Sequence, residues 1–257
     1  MSKVGNFAQR IRYETVTGFF IQSDGPATPQ AHPPAFGLAS RTSSTYWKEF
    51  EASIKSLQQS APKGVRYVVC WLARHGQGWH NVCVDKYGID EWETHWSKLN
   101  GNRDMTWGPD AKLTPLGETQ AKEVNALWKE ELSRPGDPVP LPTKLFSSPL
   151  ARALATLDLT FKDILPNGED IDDPRKPLVL EDELWSETVS ESDREFGSRM
   201  KATLDHIFKD LLEETDTFIS ITAHSGVAAA ILRLVGHPSY PLPGGGVVPV
   251  VIRATFQ

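Results

Sequence analysis

The sequence predicts an α/β fold, a three-layer sandwich whose mostly parallel central sheet carries helices on both faces. Two observations predict it. Short β-branched and aromatic runs alternate with stretches of helical period, the rhythm of strands joined by crossover helices. The run "VRYVVCWLA", starting at Val65, also shows no apolar/polar alternation, as expected of a strand buried on both faces.

The elements follow in order. Residues 1 to about 45 are read as irregular, because "SDGPATPQAHPPAFG" is rich in Pro, Gly and small polar residues. Phe19, Phe20, Ile21 and Phe36 are too apolar to float free, so this extension is expected to wrap the core. A first helix is predicted in "TYWKEFEASIKSLQQ", where Trp47, Phe50, Ile54 and Leu57 recur at helical spacing. Pro62 and Gly64 end it, and the buried strand from Val65 follows. A second strand is "KLFSS", leading into a helix from Leu150 to Phe161. A third strand is "PLVLEDEL", then a long amphipathic helix from about Asp193 to Glu214. "DTFISITA" is the fourth strand, "GVAAAILRLVG" a small-residue helix and "VVPVVIRATF" the last strand. Between them, Tyr87 to Pro115 is a long connection holding Trp92, Trp96 and Trp107, placed beside the site opening.

With 257 residues, 39% of them apolar, the chain can build one core, so residues 1–257 are expected to form a single domain. A net charge of -6 with dispersed Lys and Arg offers no stripe for a phosphate backbone, so no nucleic-acid partner is expected. Cys70 and Cys83 make neither a CxxC nor a disulfide framework. The N-terminal "MSKVGNFAQR" has no apolar core and no window is long enough to span a bilayer, so no membrane partner and a cytoplasmic location are expected. No trio of residues has metal-ligand spacing, so neither metal nor cofactor is expected.

In an open α/β sheet, ligands bind beyond the carboxyl ends of the strands. Arg74 and His75 follow the first of these strands, Ser147, Ser148 and Arg152 the second, Glu187 the third and His224 the fourth. Any one of these is more often a paired or solvated surface group, but together they suit phosphoryl transfer. Guanidinium forks match phosphoryl oxygens, a neutral imidazole can attack phosphorus, and a carboxylic acid can protonate the leaving oxygen. Imidazole and guanidinium donors together also stabilise the charge on the transferring group.

"LARHGQGWHN", "SSPLARALAT" and "TAHSG" resemble, in this order and at suitable separations, the histidine phosphatase superfamily of phosphoglycerate mutase-like proteins. The resemblance extends through "PDAKLTPLGETQA", where Leu113, Thr114, Gly117 and Ala121 fit a Leu-Thr-x-x-Gly stretch opening a helix. "TVTGFFIQSDGPAT" and "RHGQGWHNV" look like the fungal phosphatase branch of that superfamily. The resemblance implies that His75 is the nucleophile that becomes phosphohistidine, with Arg74, Arg152 and His224 around the phosphate and Asn81 reaching the same pocket. Gly76 suits a tight turn close to the phosphate, and its carbonyl can fix the tautomer of His75.

Ser225 stands where part of the superfamily has an Asp after the second His, so the proton donor must come from elsewhere. Glu187 in "LWSE" fits the place of the mutase-like glutamate, with Glu183 as rival and Glu181 further back. His80 and His95 flank the pocket, while His32, His206 and His237 read as loop or helix-surface residues. "GGG" at Gly244 to Gly246 precedes a strand and is no phosphate loop. The first functional expectation is hydrolysis of a small phosphorylated metabolite through phosphohistidine. The alternatives are a mutase-like phosphotransferase, a repurposed enzyme of specialised metabolism using Trp79, Trp92 and Trp107 as apolar area, and a binding module without activity. "LWSETVSE" departs from the Glu-Arg-His-Tyr insertion of the mutases. Oligomeric state is left open.

Overall fold

A computed structural model describes residues 10–165, 178–179, 192–211 and 217–257. Its strands are β1 (Ile11–Val16), β2 (Val65–Arg74), β3 (Lys144–Ser147), β4 (Leu178–Val179), β5 (Phe218–Ala223) and β6 (Val247–Phe256). Its helices are α1 (Tyr46–Gln59), α2 (Trp79–Tyr87), α3 (Ile89–Thr94), α4 (Pro115–Leu132), α5 (Ala151–Phe161), α6 (Asp193–Asp210) and α7 (Ser225–Leu234).

The strands form one sheet in the order β1-β6-β2-β5-β3-β4. Strands β2, β5, β3 and β4 pair in parallel, while β6 runs antiparallel to both β2 and β1. The sheet is therefore mixed rather than mostly parallel. A strand buried on both faces has the same composition in either direction, so β6 gave no hint of its reversal. The N-terminal segment is not wholly irregular either: β1 pairs along β6 from Ile11–Phe256 to Val16–Val251.

Alternate residues of β2 feed two apolar layers, as a pleated strand requires. Val68, Cys70 and Leu72 pack with Leu204, Ile207 and Phe208 of α6 and Ala228, Ile231 and Leu232 of α7. Val69, Trp71 and Ala73 face the other way, against Trp47, Phe50 and Ile54 of α1, Val124 and Trp128 of α4, and Leu157 and Phe161 of α5. Phe20 and Phe36 of the N-terminal segment are fully buried in this second layer. The Phe36 ring lies 4.8 Å from Trp71 and 4.6 Å from Trp128.

Buried polar groups fasten the segments between elements. The carboxylate of buried Asp137 accepts from the backbone N–H groups of Trp47 (3.2 Å) and Lys48 (2.9 Å), capping α1 from a distant loop. His237 is buried, not a surface residue. Its Nδ1 donates to Pro238 O at 2.7 Å, which leaves Nε2 to accept from Ser23 Oγ at 3.1 Å and ties the N-terminal segment to the chain beyond α7. Among the described residues no helix is long and apolar enough to cross a membrane.

Candidate active site

The parallel strands β2, β5 and β3 end at one edge, and the histidines and arginines gather there. β2 delivers Arg74 at its last position with His75 next, and His75 N donates to Ala223 O at the end of β5 at 2.9 Å. The Gly244–Gly246 turn backs this end: Gly245 N donates to His75 O and Arg74 N donates to Gly246 O, each at 3.0 Å. The glycines thus hold the strand end through backbone hydrogen bonds.

His75 is 3% exposed. Its Nδ1 lies 2.6 Å from Gly76 O, which can only accept, so Nδ1 carries the proton and Nε2 holds the lone pair. Arg152, in the first turn of α5, donates its Nε–H to that Nε2 at 3.3 Å. The His224 ring, just ahead of α7, lies 5.0 Å from the His75 ring, and its Nε2 is 2.7 Å from Ser148 Oγ. Burial, with the charges of Arg152 and Arg74 and against the pull of the Gly76 hydrogen bond, lowers the His75 imidazole to about 4. Burial followed by Arg152, His75 and Arg74 lowers His224 to about 3. The imidazoles are thus neutral at neutral pH, while desolvation lowers the two guanidiniums without removing their charge.

Besides holding His75 through its carbonyl, Gly76 packs against the start of α4. A Cβ there would overlap Gly117 O, and a Cβ at Gly117 would overlap Gln77 O. The turn after β2 therefore crosses the start of α4 at backbone contact. Thr114 caps α4 by accepting from Gly117 N at 3.1 Å, with Pro115 opening the helix. Gly76 N donates to Thr156 Oγ1 at 3.0 Å, so this amide is already engaged. Asn81 is likewise engaged, its Oδ1 accepting from Gly78 N at 2.9 Å at the start of α2. Arg74 gives Nη1 to Leu242 O at 2.9 Å, while its buried Nε has no partner among the described residues.

One residue of the site escaped the sequence reading. Asp110 faces Arg152 Nη1 at 3.6 Å and accepts from Ala151 N at 2.7 Å, fixing the start of α5 and the arginine it carries. Its signal was a carboxylate in the connection directly ahead of "KLTPLG". His80 was weighed equally with His95, yet its ring sits 5.3 Å from that of His75, whereas exposed His95 packs on Trp96. Trp107 is 3% exposed and donates Nε1–H to Trp96 O, so it packs the connection instead of lining a ligand site. Glu187, Glu183 and Glu181 lie outside the described residues. Beside Ser148 and His224 an apolar recess runs between α6 and α7, lined in part by Met200, Leu204, Val227 and Ile231. Cys70 and Cys83 are both buried, and burial raises the Cys70 thiol to about 12, which leaves neither poised as a nucleophile.

No family model matches the chain. It is 34% identical to a probable phosphoglycerate mutase of Arthroderma benhamiae, over 95% of this chain and 84% of that protein. It is 30% identical to phosphomutase-like protein 3 of Candida albicans, over 94% of this chain and 80% of that protein. A crystal structure of phosphoglycerate mutase from Bacillus anthracis superposes with a TM-score of 0.49 at 13% identity, over 73% of this chain and 89% of the other.

Proposed function

Since the chain belongs to the phosphoglycerate mutase-like proteins of the histidine phosphatase superfamily, we propose that it hydrolyses a small phosphomonoester through a phosphohistidine on His75. The observation that carries this reading is the His75 tautomer. With Nδ1–H held by Gly76 O, the lone pair of Nε2 faces the Arg152 guanidinium. An arriving phosphoryl oxygen competes for the Arg152 N–H, and its capture frees Nε2 to attack phosphorus.

The steps balance simply. Nε2 forms a bond to phosphorus as the bond to the leaving oxygen breaks, and that oxygen takes a proton from a carboxylic acid, assigned to Glu187 with Glu183 as rival. Arg74, Arg152 and His224 hold the phosphoryl oxygens, and Asn81 joins them through its amide N–H. Water then attacks phosphorus, the N–P bond breaks, and the carboxylate takes the water's proton. The recess between α6 and α7 suits an apolar part of the organic substituent.

A second reading is a mutase, favoured by the names of the relatives, which include a probable phosphoglycerate mutase of Saccharomyces cerevisiae. In that case the phosphohistidine passes its group to a substrate hydroxyl instead of water. A panel of phosphomonoesters assayed for phosphate release, with 3-phosphoglycerate assayed for isomerisation, separates the two. Phosphate release is expected, and isomerisation without release would overturn hydrolysis. Glu187→Gln should slow release from an alkyl phosphate far more than the first step with para-nitrophenyl phosphate, whose leaving group needs no proton. The same selectivity in Glu183→Gln alone would move the acid there.

A further inference from the structure

We propose that His80 is a further phosphoryl-binding residue, which takes up a proton as the substrate dianion enters. The inference rests on the reading of this pocket as a phosphoryl site, and it adds an imidazole that the resemblance did not assign.

His80 adds no polar contact to the fold through its buried ring nitrogen. Its Nδ1 is sealed from solvent without a hydrogen-bond partner among the described residues. An unpaired buried nitrogen is a cost, and an apolar ring of similar size would fill the position without it. The imidazole also restricts its neighbour: a Cβ on Gly78 would come 2.7 Å from His80 Nδ1 and 2.8 Å from Cε1, so the turn needs glycine to admit this ring.

What surrounds the ring explains its chemistry. From the end of β2 and the residue after it the ring faces Arg74 and His75, from α5 Arg152, and from just ahead of α7 His224, while the uncharged Trp92 ring of α3 lies 6.3 Å away. Every charged group on that roll is cationic. Burial, then Arg152, His75, His224 and Arg74, lowers His80 to about 3, so it is neutral in the free protein. A phosphomonoester dianion offsets the charge of the two guanidiniums and sets phosphoryl oxygens beside the ring, and a nearby negative charge favours the protonated ring. His80 then donates to the phosphoryl group as an imidazolium, a charge-assisted hydrogen bond unavailable in the free protein.

Calorimetry with inorganic phosphate tests this at pH 6.5, in two buffers of different ionisation enthalpy, on the wild-type chain, His80→Gln and His80→Ala. Glutamine keeps an amide donor of similar reach but cannot bind a proton. The proton released by phosphate itself is common to all three, so the difference between proteins isolates His80. The wild type should take up about half to one proton more than His80→Gln, and bind about tenfold more tightly, equivalent to about 1.4 kcal/mol. His80→Ala should bind more weakly still. If the glutamine variant melts early, His80→Asn makes the same comparison. An unchanged proton count in the folded variant overturns the proposal, whatever the affinity. Failure of the wild type to bind phosphate would instead overturn the reading of the pocket.

Discussion

Arg152→Lys probes the site at its most connected residue. The Arg152 side chain is 15% exposed, its Nε donates to His75 Nε2 at 3.3 Å and its Nη1 lies 3.6 Å from Asp110. Arginine can stay against Asp110 with one nitrogen while another turns from His75 to a phosphoryl oxygen. Lysine has a single ammonium and cannot span both, although its charge remains. Loss of one preorganised donor to transition-state charge costs about 3 kcal/mol, a fall in kcat of about 100-fold. The assay is steady-state kinetics on a phosphomonoester, with thermal melting as the control for folding. A variant within threefold of wild type in kcat/KM would refute the reasoning and place Arg152 outside the transition state.

The remaining predictions address the frame and its pH dependence. His75, His80 and His224 sit at about 4, 3 and 3, below the ordinary histidine value of 6.5, so the unfolded chain protonates first. Their contribution to stability is full above pH 6.5 and is lost as pH falls toward 4, by up to about 1.4 kcal/mol per pH unit for each imidazole. Melting temperatures at pH 7.5, 6 and 5 should therefore fall more steeply for wild type than for His224→Gln. Gly117→Ala forces a Cβ into Gln77 O, so kcat should fall more than tenfold and stability by about 1 to 3 kcal/mol; an unaffected enzyme would show that the turn carrying His75 can shift without consequence. Asp137→Ala removes the acceptor for Trp47 N and Lys48 N, which should cost about 1 to 2 kcal/mol in denaturant melts while leaving kcat within twofold, since α1 supplies no site residue.

How much of this was legible depends on how local each signal is. The run of β2 reads as a buried strand because both faces of the same residues meet apolar layers. The site histidines and arginines are found by asking what stands at the strand ends, a question that requires order along the chain but no distances. Strand direction is less local: β6 follows α7 only after the Val235 to Gly246 stretch, and nothing in its β-branched composition states which way it enters the sheet. β1 was readable in principle, since Ile11 and Tyr13 are buried and Arg12 between them is exposed. The Pro- and Gly-rich residues that follow obscured that alternation. The Asp110–Arg152 pair and the Gly76–Gly117 crossing unite residues far apart in sequence, so no spacing rule reveals them. The acid at Glu187 stands on the sequence alone.

The central claim is that His75 carries the phosphoryl group, and trapping the enzyme during turnover tests it most directly. Rapid quench with a 32P-labelled substrate should give a base-stable, acid-labile phosphoenzyme whose label maps to the peptide holding His75, bonded through Nε2. The label should be absent from His75→Ala, together with nearly all turnover. A labelled His75→Ala protein, or one that turns over at the wild-type rate, would contradict the account.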